Sequence, residues 1–309
     1  MKLELLDLPL GASQPGEPVG LRGSRYILGT GGGPRVLITG AVHGDEPTAT
    51  AALWYLADRL TDAALEGVVT IIPCVNVLAL RASSRLIPHE QSDLNRCFGG
   101  RRDGSLAERL AAVLVRLLDD HDALIDVHTA GWCVPFVLLD HAPDLGLLGR
   151  VARWASATTL PVVGEMPAEQ SSLQGLDRSW SAWAMNKAAK PALTLELVGY
   201  RTLNSDCAKR GGEWLLDYVR AAASLAAPVE SRGDLPFRRE IYADASGLFE
   251  TLLEPGTRVQ AGETVGLIRR IDGAVRETVV AAEDGLVLAL QPISAVHVGS
   301  WLATLAVSR

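Results

Sequence analysis

From about residue 35 to 225, short apolar runs rich in β-branched residues alternate with longer stretches patterned at helical spacing. The strand candidates are RVLITGA (35–41), VVTIIPCVN (68–76), ALIDVHT (123–129), VPFVLLD (134–140), LPVVGEM (160–166) and ALTLEL (192–197). Between them lie helix candidates at 47–60, 105–121, 145–158, 177–189 and 207–227. Strands that are apolar almost throughout are buried on both faces, so this alternation predicts an α/β fold: a mixed, mostly parallel sheet flanked by helices. Ahead of it, EPVGLRGSRYILGTGGGP (17–34) reads as an edge strand followed by a glycine-rich turn.

The pattern changes at APVESRGDLP (227–236), a linker rich in Pro, Gly and charge, which divides the chain into 1–230 and 236–309. Beyond it, turns at EPGT, QAGE, IDGA, AEDG and HVGS punctuate short strands with no helix-length period, the pattern of a small all-β domain. EPGTRVQAGETVGLI and EDGLVLAL resemble the biotinyl/lipoyl barrel-sandwich fold. A carrier domain of that kind needs an exposed lysine on a hairpin, and no lysine follows Lys209. A structural or oligomerising role is therefore the expectation, and a homo-oligomer is compatible with it.

Bulk properties narrow the function classes. The 309 residues carry a formal net charge of −7 without a block of like charge, which excludes an electrostatic footprint for nucleic acid or an anionic membrane. No apolar run approaches the roughly 18 to 20 residues of a bilayer span. Glu4 and Asp7 interrupt any signal-peptide core, and Cys74, Cys97, Cys133 and Cys207 form no CxxC pair. Reduced thiols and a cytoplasmic location are expected.

Three polar signals coincide with strand ends: His43 and Glu46 after RVLITGA, His128 in ALIDVHT, and Glu196 in ALTLEL. Open α/β sheets bind ligands outside the carboxyl ends of their strands. Hydrolytic zinc takes three protein ligands, often two His and one Glu, and keeps a position for water. His43, Glu46 and His128 supply that set. Pro47 suits a first helical turn, which puts Glu46 at a helix start and His43 in the preceding loop. Gly40 and Gly44 let that loop turn sharply. Since this is not HExxH, the base comes from elsewhere, and Glu196 is free to be it.

Each residue also has a plain structural reading. An HxxE spacing alone is weak, and a single histidine in DVHTA is more often a hydrogen-bonded core residue. Asp126 alternates with His128 and faces the same side, either as an acceptor that orients the ring or as a cap elsewhere. LRASSRLIPHEQSDLNRCFGG carries Arg81, Arg85, Asn95 and Arg96. Any one of these arginines alone reads as a solvated loop residue. Beside a metal triad they suggest a substrate with a carboxylate near a scissile carbonyl.

GAVHGDEPTA, SDLNRCFGG, IDVHTAG and LTLELVGY together resemble the four signatures of the succinylglutamate desuccinylase/aspartoacylase family, relatives of zinc carboxypeptidases. The resemblance runs from about residue 30 to 225, and the C-terminal β domain also matches that family's layout. It implies one zinc per chain on His43, Glu46 and His128, with Glu196 as general base. It further implies that Asn95 and Arg96 bind the substrate carboxylate and that Arg85 polarises the scissile carbonyl, with Arg81 in reserve. Gly99 stands where the family usually shows proline, and no substrate-binding tyrosine is placed, although Tyr200 is near Glu196 in sequence. The expected activity is zinc-dependent hydrolysis of the amide of an N-acyl amino acid or a related small carboxylate. A peptide carboxypeptidase, an esterase and an inert metal-containing binding protein are the alternatives.

Overall fold

The computed structural model describes residues 2–14, 17–60, 65–142, 144–164, 171–172, 174–229 and 235–308. The first unit is an eight-stranded sheet. Its strands are β1 (Lys2–Gln14), β2 (Glu17–Leu28), β3 (Arg35–Gly40), β4 (Gly67–Ile72), β5 (Ala123–Thr129), β7 (Phe136–Leu138), β8 (Val162–Val163) and β9 (Ala192–Leu197). They run in the order β1-β2-β4-β3-β5-β9-β7-β8. Pairing is parallel at β4–β3, β3–β5, β5–β9 and β7–β8, and antiparallel at β1–β2, β2–β4 and β9–β7. The α/β reading of a mixed sheet covered by helices is what the chain adopts.

Strands β4 and β5 are buried at every position, as expected for a sheet packed on both faces. The helices are α1 (Pro47–Leu60), α2 (Val77–Arg81), α3 (Leu106–Asp119), α4 (Leu145–Ala155), α5 (Trp180–Asn186) and α6 (Ser205–Ala221). Helix α3 shows how local sequence sets an element. Ser105 and Glu108 close a reciprocal capping box at its start, and Leu110, Leu114, Leu117 and Leu118 are buried. Each such leucine contributes roughly 1.5–3 kcal/mol on burial. Helices α1 and α6 approach closely because Gly212 stands where a Cβ would lie 2.7 Å from that of Tyr55.

Several expectations change at element ends. The segment at 17–34 is not an edge: β2 lies between β1 and β4, because the N-terminal residues add an outer strand. The run at 68–76 stops at Ile72, since Pro73 lacks the amide that would continue the ladder. The helix predicted at 177–189 divides into a 3-10 turn, Leu176–Arg178, and α5, with Ser179 capping the second piece. Strand 160–166 shortens to β8, and its residues 165–166 lie outside the described residues. So do half of the interdomain linker, residues 230–234, and residues 165–170 and 173 of the loop at 164–180.

The all-β unit begins with β10 (Phe237–Tyr242). It continues through β11 (Gly247–Thr251), β12 (Arg258–Val259), β13 (Thr264–Arg269), β14 (Val275–Val280), β15 (Gly285–Leu290), β16 (Ala295–Val296) and β17 (Trp301–Val307). One sheet is ordered β10-β17-β15-β12 and the other β14-β13-β11-β16, and they enclose a core with Phe249, Val265, Ile268, Val287 and Leu302. A short strand from the first unit, β6 (Trp132–Cys133), pairs antiparallel with β15. Cys133, Phe136, Val163, Leu288 and Ala289 pack together at this junction. The two units thus share a sheet and a buried apolar cluster.

Candidate active site

The backbone leaves β3 through Ala41, whose φ of 49° is left-handed, before reaching His43. The turn was expected to rest on its glycines; instead Ala41 carries the strained conformation. It is held because the Gly40 and Ala41 carbonyls accept the amides of Val75 and Asn76, while the Asn76 side chain donates to Val42 O. Gly44 serves close approach: a Cβ there would sit 1.9 Å from the Ala79 carbonyl carbon of α2.

His43 and Glu46 are thereby delivered in front of β5. In the parallel β5–β9 pair His128 stands opposite Glu196. His43 Nδ1 lies 2.8 Å from Glu46 Oε1, and His128 Nδ1 lies 3.0 Å from Glu46 Oε2. Glu46 Oε2 also accepts the Thr129 amide at 2.9 Å. One donor atom from each of His43, Glu46 and His128 falls within 4.8 Å of the others, and all three side chains are buried. The far nitrogen of each ring is held by a carboxylate. His43 Nε2 is 3.1 Å from Asp93 Oδ1, and His128 Nε2 is 2.7 Å from Asp126 Oδ2. That arrangement turns both Nδ1 atoms inward, as in sites where a carboxylate orients a ligating imidazole, so the donor set fits a divalent metal. Asp126, which also accepts from Thr39 Oγ1 at 2.7 Å, therefore orients the ring and is not a cap.

The electrostatics of the cluster follow from burial and from pairing among its own charges. Burial works to raise the Glu46 carboxyl, but the imidazoles of His43 and His128 outweigh it and hold it far below the usual range. Burial opposes the charged form of His128, yet Asp126 and Glu46 drive its proton affinity well up. The raised His128 reports the negative charge of Asp126 and Glu46 beside the ring, and the lowered Glu46 reports the two rings that face its carboxylate. Glu196 differs: burial raises its carboxyl to about 7, with His128 opposing and Glu46 adding to the rise.

Every expected site residue except the reserve Arg81 lines one cavity of about 530 Å³: His43, Glu46, Arg85, Asn95, Arg96, His128 and Glu196. Arg81 ends α2, exposed and outside that lining. Arg85 sends Nε and Nη2 to Asp93 Oδ2, at 3.1 and 3.0 Å, and its Nη1 comes within 3.3 Å of His43 Nδ1. Asn95 and Arg96 belong to a 3-10 turn, Leu94–Arg96, whose N-cap is again Asp93. Phe98 stacks on Trp180 at 4.4 Å, and the Trp180 amide donates to Asn95 Oδ1 at 2.8 Å, which fixes that turn against α5.

Two contributions to the site were not anticipated. Asp93 touches His43, Arg85 and the Asn95 amide, and its signal in the sequence was only its position two residues before Asn95. The all-β unit supplies Arg238, Glu240, Tyr242, Gln291, Pro292, Ile293, Trp301 and Thr304. Their clue was the alternation of Arg238, Glu240 and Tyr242 along one strand, which aims three polar side chains at one face. The structural or oligomerising role expected for this unit did not include a wall of the cavity. Tyr200 lines the cavity as well, and Gly99 adopts a φ of 104°.

Comparison with known proteins follows the same lines. Residues 32–222 match the succinylglutamate desuccinylase/aspartoacylase catalytic domain. An N-alpha-acetyl-L-2,4-diaminobutyric acid deacetylase of Halomonas elongata is 28% identical over 299 residues, covering 91% of this chain and 84% of the relative. The product-bound structure of the ectoine utilization protein EutE (DoeB) of Ruegeria pomeroyi superposes with a TM-score of 0.79 at 25% identity, covering 99% of this chain and 95% of that one. A succinylglutamate desuccinylase/aspartoacylase of Rhodobacter sphaeroides shares the fold, with a TM-score of 0.80 at 24% identity over 100% of this chain and 95% of its own. The matched domain spans more than half of the chain and includes the His43, Glu46 and His128 cluster together with Glu196, so this protein belongs to the succinylglutamate desuccinylase/aspartoacylase family.

Proposed function

We propose that the protein is a zinc-dependent amidohydrolase that releases an amino acid from its N-acyl derivative. The observation that carries this reading is the convergence, in one cavity, of two inward-turned imidazoles and a carboxylate with Glu196 beside them and Asn95 and Arg96 along the wall. The Halomonas elongata relative is named for removing an acetyl group from a diamino acid, which supports an N-acetylated amino acid among the candidate substrates.

His43, Glu46 and His128 would hold the metal, which when bound lowers the pKa of its water and polarises a carbonyl. Glu196 takes the proton of the attacking water on its carboxylate and passes it to the nitrogen of the leaving amine. Its carboxyl, raised to about 7 by burial, is matched to proton transfer in both directions near neutrality. Arg85, anchored on Asp93 through Nε and Nη2, keeps Nη1 beside the metal ligands, where negative charge develops on the carbonyl oxygen. Asn95 and Arg96 orient the carboxylate of the amino-acid half.

Amine release from a panel of N-acyl amino acids, esters and short peptides, with zinc-loaded and chelated protein in parallel, tests the reading. Zinc-dependent release from N-acyl amino acids is expected. Preference for longer peptides would move the assignment to a carboxypeptidase. Binding without release of any kind would leave an inert metal protein.

A further inference from the structure

The cavity's guanidinium groups differ in how many nitrogens are already committed. Arg85 gives Nε and Nη2 to Asp93. Arg96 gives Nε to Gln174 O and Nη1 to Asn95 O, both at 2.9 Å. Arg201 stands exposed at the rim, its guanidinium 5.2 Å over the Tyr200 ring. Neither Arg85 nor Arg96 therefore has both terminal nitrogens uncommitted for a carboxylate.

Arg238 does. It lines the cavity from β10 with its side chain 19% exposed, and its Nε donates to Glu240 Oε1. Among the described residues its two terminal nitrogens make no hydrogen bond to the protein. Glu240 is itself fixed, accepting from Thr304 Oγ1 at 2.7 Å across the β10–β17 pair and from Trp301 Nε1. A second tie bridges the two units where Gln174, which holds Arg96, donates to the Tyr242 hydroxyl at 2.7 Å. Arg238 shares the cavity wall with Asn95, Arg96 and Glu196, and after Glu240 the charges of Asp140 and Glu196 bear on it. A partly buried guanidinium held at its inner edge, with its outer fork open to a cavity, is the arrangement that recognises a planar anion.

Resting on the deacylase reading above, we propose that Arg238 anchors the substrate: its terminal nitrogens bind the carboxylate of the amino-acid half beside the side-chain Nδ2 of Asn95 and Nη2 of Arg96. The all-β unit is then a substrate-binding wall of the enzyme, and Glu240 is a positioning residue that presents Arg238.

The test compares N-acetyl amino acids with their primary amides, which keep the shape and lose the charge. In Arg238→Met, kcat/KM for the acid is expected to fall about 10- to 100-fold, mostly through KM, while the amide is unaffected. Arg238→Lys, which preserves the ion pair but not the fork, should fall in between. Glu240→Gln should raise KM for the acid by less than Arg238→Met does, at unchanged kcat. Zinc content and melting temperature equal to wild type confirm that the variants fold. Equal losses on acid and amide, or no loss on either, would overturn the inference. Calorimetry of an N-acetyl amino acid on Glu196→Gln, with and without Arg238→Met, reads the anchor without turnover. If wild type hydrolyses no N-acyl amino acid yet this binding depends on Arg238, the deacylase reading fails and the anchor stands. If wild type is active and binding ignores Arg238, the anchor fails alone.

Discussion

Asp93 is the residue on which most of the site's geometry turns. It touches His43, Arg85 and the Asn95 amide at once, and the charges of His43 and Arg85 overcome its burial and hold its carboxyl far down. Asp93→Asn should lower zinc affinity about 10- to 100-fold, as loss of a partner that orients a ligand does. Turnover at saturating zinc should fall further because Arg85 is released; metal titration beside steady-state kinetics separates the two. Glu196→Gln should bind zinc normally and lose about 10²- to 10⁴-fold in turnover, whereas His128→Ala should lose both. Near-normal turnover in Glu196→Gln would remove that residue as the base. His43, Glu46, His128 and Glu196 were legible because polar residues at the ends of apolar strands are conspicuous. Asp93 was not, because an aspartate in a loop reads equally well as a turn residue, and only contact with His43 shows its use.

At the scale of elements, helix α3 and the strand that follows it offer a pH test. His121, buried between them, donates Nδ1–H to Leu117 O at 2.7 Å, while its Nε2 lies 2.6 Å from Thr70 Oγ1 on β4. Both nitrogens are thus matched to the neutral ring, and burial pushes the imidazole down from 6.5 to about 4. The unfolded chain then takes up the proton first. This contribution is whole above pH 6.5 and is lost as pH falls towards 4, by about 3 kcal/mol for a shift of this size. Chemical denaturation of wild type and His121→Gln across that range should show a shallower acid decline in the variant; parallel curves would refute it. The helices were read well where capping and apolar spacing agree, as at 105–121. They were read less well at 177–189, where Gly175 in a left-handed conformation and the Ser179 cap make two short pieces of one pattern.

For the whole molecule, the junction between the units decides whether the cavity has its far wall. Ala289 is fully buried opposite Cys133 in the β15–β6 pair. Ala289→Asp would place an unpaired charge in that apolar cluster and should undock the all-β unit. Activity is expected to collapse while zinc still binds, and calorimetry should resolve two melting transitions in place of one. A single transition with activity retained would show that the wall is dispensable.

What the amino-acid order determined by itself is whatever depends on short range: the alternation that makes an α/β sheet, the change of pattern near residue 230, and the polar residues placed at strand ends. The cluster of His43, Glu46 and His128 was readable because the strand-end rule converts sequence position into spatial position. Which guanidiniums are spent on the protein and which face the cavity was decided only by tertiary structure. So was the packing of the all-β unit, with Arg238, Glu240 and Trp301 among its contributions, against cavity residues of the first unit that lie between 43 and 201. No local preference encodes those contacts; they exist because β6 joins the sheet of the second unit and brings the two surfaces together.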